Sequence, residues 1–111
     1  MIELIILNFL KSQLFVPVFL ERQKEMPETF VLLEKTGSSK KNYIKNSTFA
    51  FQSYAQSMYE AASLNEEVKE VIEELITLGE ISGVNLNSDY NFTDTTTKEY
   101  RYQAVFDITH Y

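Results

Sequence analysis

Residues 100–111, Tyr100-Arg101-Tyr102-Gln103-Ala104-Val105-Phe106-Asp107-Ile108-Thr109-His110-Tyr111, carry the clearest alternation in the chain. Tyr100, Tyr102, Ala104, Phe106 and Ile108 share one parity, and Arg101, Gln103, Val105, Asp107 and Thr109 the other. Side chains of a strand point to opposite faces in turn, so the stretch predicts a β-strand with a buried face. A polar, Thr-rich turn over Thr93–Lys98 precedes it. Before that turn, Val84, Leu86, Tyr90 and Phe92 alternate with Asn85, Asn87, Asp89 and Asn91, which predicts a partner strand over Val84–Phe92. The two strands form a hairpin.

Toward the N-terminus the period changes from two to 3.6. Ala61, Leu64, Val68, Val71, Ile72 and Leu75 recur at helical spacing, with Ser57 as N-cap and Gly79 as the stop, which predicts a helix to about Leu78. Glu66, Glu70 and Glu73 form its opposite stripe. Six glutamates against the single Lys69 leave this segment at −5, most of the net charge of the chain. Ahead of the helix, a strand over Thr29–Thr36 and one over Tyr43–Tyr54 flank a turn, Thr36-Gly37-Ser38-Ser39-Lys40-Lys41-Asn42, and predict another hairpin. Glu21–Glu28 reads as a loop. Leu14–Leu20 is rich in strand formers, but Pro17 cannot donate to a ladder, so an edge or irregular strand is expected. Ile2–Leu10 suits a buried helix ending near Lys11–Ser12. It is apolar nearly all round, which leaves a strand open as well.

The order α-β-β-β-α-β-β describes an α+β domain spanning residues 1–111: two helices on a mainly antiparallel sheet of four to five strands. At 111 residues there is room for one core only. Met1–Leu20 has no basic leader, and Glu3, Asn8, Lys11, Gln13 and Pro17 interrupt it; a soluble chain with no export signal and no membrane association is expected.

Composition narrows the chemistry further. Ten Lys and Arg against sixteen Asp and Glu give a net charge of −6, which argues against a free-standing, sequence-specific DNA binder. With no cysteine, thiolate catalysis, thiolate metal sites and disulfides are excluded. His110 is the only histidine, so any Ser-His-Asp arrangement would rest on it, and no nucleophile is recognisable beside a base. No enzyme, metal or cofactor is expected. The glutamate stripe lacks a histidine at helical spacing and lies opposite the apolar face, which is the pattern of a solvated or partner-facing surface. Lys35, Lys40, Lys41 and Lys45 form a basic cluster with no acid between residues 35 and 55 and without the spacing of a P-loop. Its readings are a solvated turn, a protein contact or a nucleic-acid contact. Because cluster and stripe are opposite in sign, copies of the chain can meet hairpin to helix. The tyrosines and phenylalanines are read as packing, and Arg101 as an interstrand or subunit-contact residue.

Four features in order resemble the tail terminator and tail-to-head joining proteins of long-tailed bacteriophages: Val16-Pro17-Val18 after the first helix; Pro27-Glu28-Thr29-Phe30-Val31 leading to Glu34-Lys35-Thr36-Gly37; an Ala-containing helix (Ala55, Ala61, Ala62); and Tyr100-Arg101-Tyr102-Gln103-Ala104-Val105-Phe106. Ser38 departs from the second glycine common in that family's turn. The resemblance implies a structural virion protein at the head-tail interface, assembled in the host cytoplasm. Its copies would form a ring, usually of six, that caps the tail tube, ends its growth and docks the head connector, with DNA only passing through the lumen. The implied partners are therefore the chain itself, the tail-tube protein and the head-completion or connector protein. A different class, suggested by the −5 helix, is a small acidic inhibitor of a basic nucleic-acid enzyme.

Overall fold

The computed structural model describes residues 1–111. The alternating stretch is β5 (Tyr100–His110). It lies inside the sheet, between β3 (Ile44–Ala55) and β4 (Ile81–Asn91), and is antiparallel to both. Beyond β3 come β2 (Phe30–Lys41) and β1 (Val18–Phe19), giving the order β1-β2-β3-β5-β4. Only the two-residue β1 runs parallel to its neighbour, β2. Two helices, α1 (Ile2–Gln13) and α2 (Met58–Glu73), complete an α+β architecture in the expected order. Neither is long and apolar enough to cross a membrane.

Both helices pack on one face of the sheet. Ile2, Ile6, Leu7 and Leu10 of α1 and Leu64, Val68, Val71 and Ile72 of α2 join Val31, Leu33, Phe49, Phe51, Ala104, Phe106 and Ile108 in one core of 19 buried residues. The helical burial of Ile2, Ile6 and Leu10 decides the N-terminal segment as a helix. Ser57 caps α2 as its type predicts, accepting from the Glu60 N–H at 3.2 Å. A smaller cluster occupies the other face: Phe30, Leu32 and Tyr54, covered by Phe19 and Met26. The Phe30 and Tyr54 rings stack with centroids 4.4 Å apart. The rest of that face has no helix over it.

Three boundaries differ from those expected. Residues 36–41 are strand, not turn. β2 runs on to Lys41, with a bulge at Thr36 between the pairs Lys35↔Phe49 and Gly37↔Thr48. The chain reverses only at Asn42-Tyr43, whose φ values of 51° and 69° describe a turn with both central residues left-handed. Such turns match the twist of hairpin strands. Gly, Ser and Lys look like turn residues because this half of β2 touches no core; its pairing with β3 carries the ladder past the point where burial ends. α2 stops at Glu73 and tightens into a 3₁₀ turn over Glu74–Thr77. Gly79 has no positive φ, so it supplies no left-handed cap. β4 starts at Ile81, separated from the 3₁₀ turn by three residues, instead of at Val84.

Candidate protein-contact surface

The bulge at Thr36 decides which lysines act together. Lys35 and Lys40 are five residues apart and would point to opposite faces of a regular strand. The extra residue restores a common parity, because Lys35 pairs with Phe49 and Lys40 with Lys45, both on the helix-covered face. Lys35, Lys40 and Lys45 therefore line one open concavity of about 670 Å³, together with Ser38, Ser39, Glu3 and Glu80. Lys41 pairs with Ile44 and lies on the opposite face at the hairpin tip. The fourth lysine of the cluster is thus separated from the other three. None of the four forms an ion pair, whereas Arg22, Lys69 and Arg101 all do. Lys40 also sits 5.9 Å from the centroid of the exposed Tyr43 ring.

His110 forms the floor of the concavity. Its Nε2 lies 2.8 Å from the Ser47 Oγ, and its Nδ1 lies 3.3 Å from the carbonyl of Tyr111. A serine is therefore beside the lone histidine, which corrects the expectation that no nucleophile is placed beside a base. Sixty-three residues separate the two, and only the β3–β5 register brings them together. Ser47 is 1% exposed and no carboxylate bonds Nδ1, so the contact satisfies two buried polar groups. Burial, and then the charges of Lys45 and Lys35, hold the imidazole below its ordinary value; the Tyr111 carbonyl and Glu3 oppose them.

The acidic stripe is exposed along α2, as its spacing predicts, but its members are not equivalent. Glu66 bonds Lys69 at 2.7 Å, and Lys69 bonds Asp89 of β4 at 2.5 Å. Asn65, buried within the apolar face of α2, donates to the same Asp89 at 2.7 Å. Hydrogen bonds from Asp89 and then Glu66 raise the Lys69 ammonium above its ordinary value. This polar seam ties α2 to β4 and was invisible in the sequence, where Asn65 interrupts a hydrophobic period without an evident partner. Glu70 and Glu73 have no such tie and present free charge.

Arg101 is engaged inside the chain. Its Nε donates to the Phe92 carbonyl at 2.6 Å and its Nη1 to the Tyr54 hydroxyl at 3.1 Å. The guanidinium lies 4.3 Å from the Phe92 ring centroid and 5.7 Å from that of Tyr54. It therefore joins β5 to the smaller core, which is the interstrand role among the two expected for it. No three His, Asp or Glu side chains converge at metal-ligand spacing.

The surface that remains is bipolar. Lys35, Lys40 and Lys45 stand unpaired on the β2–β3 side of the helix-covered face, and the glutamates of α2 other than Glu66 are unpaired on a helix that packs over β3 and β5. Compared with known proteins, the chain matches no protein-family model and no curated sequence.

Proposed function

We propose that the chain is a structural assembly protein whose copies associate head to tail into a ring, and that the ring caps the tail tube of a long-tailed phage and receives the head connector. The observation that carries the ring is the bipolar surface. Its two halves lie on different parts of one molecule, so a heterologous contact can match them, and such a contact closes a ring where its rotation returns on itself. Exposed ion pairs contribute only about 0.2–1 kcal/mol each, so the charges set orientation and partner choice, and burial elsewhere in the contact must supply most of the affinity. The assignment to a phage tail rests on the sequence resemblance: the Val16-Pro17-Val18 segment, the Phe30–Gly37 strand and the Tyr100–Phe106 strand, which the fold puts at the edge, beside it and in the interior of one sheet.

The test is electron microscopy of lysates from the encoding phage with a stop codon early in this gene. Filled heads beside free, overlong tails are the expected result; free tails of normal length would assign joining without length control. Intact infectious particles would overturn the reading. The exposed Glu70 and Glu73 favour one second reading, an acidic inhibitor of a basic enzyme. A pull-down separates the two: a terminator retains tail-tube or connector protein, an inhibitor a nuclease or other nucleic-acid enzyme.

A further inference from the structure

The sheet has two free edges, and they are complementary. β4 bonds only β5, which leaves its outer edge open over Ile81–Asn91. On the far side, β1 covers only Val31 and Leu32, so Leu33–Lys41 of β2 is open as well. Free edges of this length are templates for strand addition. Their directions decide what they accept. β2 is antiparallel to β3, β3 to β5 and β5 to β4, so β4 runs opposite to β2. A second copy placed beside β4 in the same orientation therefore presents its β2 antiparallel, and the sheet continues without reversal.

Register and charge agree with that placement. Tracing pairs across the sheet puts Leu86 level with Phe106, Phe49 and Lys35, and Ser88 level with Val105, Ala50 and Glu34. Each edge is bulged near this level, β4 at Asn87 and β2 at Thr36. A bulge protects an edge against indiscriminate pairing. On the helix-covered face, Lys35 and Lys40 of the incoming strand arrive next to β4, which Lys69 and Asn65 of α2 reach through Asp89. The end of α2 that the incoming lysines approach is the one carrying Glu70 and Glu73, because the 3₁₀ turn leads from there to Ile81, which is level with His110, Lys45 and Lys40.

We infer that copies of this chain join by antiparallel addition of the Leu33–Lys41 edge of β2 to the Ile81–Asn91 edge of β4 of a neighbour. This rests on the head-to-tail association proposed above and names its contact. The absence of cysteine makes the test clean. Ser88→Cys is combined with Glu34→Cys, and Asn85→Cys with Gly37→Cys, which is level with it and where an added Cβ meets nothing within 4 Å. Within one copy the paired positions are three strand spacings apart, about 14 Å, beyond the roughly 7 Å limit of a disulfide, so any bond is between copies. The variants are first shown to melt as the parent chain does, then oxidised and run without reductant beside light scattering of the reduced protein.

The expected result is a ladder of dimers, trimers and higher species from a double variant, with monomer from each single variant. Dimer from Ser88→Cys alone, with no ladder, means two-fold pairing of β4 with β4 and overturns the inference. Association by light scattering with no disulfide from either pair also overturns it and leaves the ring to another contact. A chain that stays monomeric with no disulfide removes this contact and self-association in solution together.

Discussion

The two halves of β2 hydrogen-bond to the same partner strand and have opposite fates. Phe30–Leu33 is buried on both faces, with Val31 and Leu33 in the larger core and Phe30 and Leu32 in the smaller. Glu34–Lys41 is exposed throughout. The first half is held by burial, at about 1.5–3 kcal/mol for each large apolar side chain taken from water. The second half is held by its ladder to β3, which β5 holds in turn. A strand can therefore outlast its core when its neighbour is anchored. The extension contributes little to stability, yet it carries three of the four lysines of the cluster, a bulge and a free edge, which is where a surface for another molecule is expected.

The contrast is broken most severely from the buried side. Leu33→Ala should cost about 2–5 kcal/mol, because the cavity opens in the middle of the core; denaturant unfolding reads this directly, and a loss below 1 kcal/mol would mean that the proximal half is not anchored as described. The turn that closes the exposed half offers a gain instead. Tyr43 sits at φ 69° and is largely exposed, so it bears backbone strain with only the Lys40 ammonium near its ring in return. Tyr43→Gly creates the Asn-Gly pair that such turns favour and should stabilise the fold by about 1 kcal/mol, seen as a rise in melting temperature. No rise would mean that the distal ladder frays before the rest unfolds.

The smallest expected effect is a slope with pH. His110 has a folded value below the ordinary 6.5, so below that pH the unfolded chain binds a proton that the folded chain resists. Stability should be level above about pH 6.5 and fall as the pH drops toward the folded value. His110→Gln should flatten that window, ahead of the carboxylate titrations at lower pH. A rise in stability on acidification through the window would contradict the buried, neutral imidazole between β3 and β5.

Much of this fold was legible because burial writes a period into sequence. The alternation over residues 100–111 marked β5, and Ala61, Leu64, Val68, Val71, Ile72 and Leu75 all prove buried as their spacing predicted. The distal half of β2 was illegible for the same reason. Exposed on both faces, it has no period, and its turn contains no glycine. The site was legible only as composition. Four lysines and three glutamates could be counted, but their grouping depends on the Thr36 bulge and on pairings distant in sequence: Ser47 with His110, and Asn65 and Lys69 with Asp89. None of these leaves a local signal.

The exposed half of β2 also offers the most direct test of the claim that it is a contact surface. Lys40 and Lys41 are neighbours in sequence and lie on opposite faces of the strand, and Lys40 stands directly opposite Lys45. Lys40→Glu replaces a like-charge pair by an opposite one, so it should leave the fold at least as stable as before. The assembled mass of the chain should be measured for Lys40→Glu and for Lys41→Glu side by side. The expected result is loss of assembly for Lys40→Glu, with an unchanged or higher melting temperature, and retained assembly for Lys41→Glu. Full assembly of both variants would contradict the account.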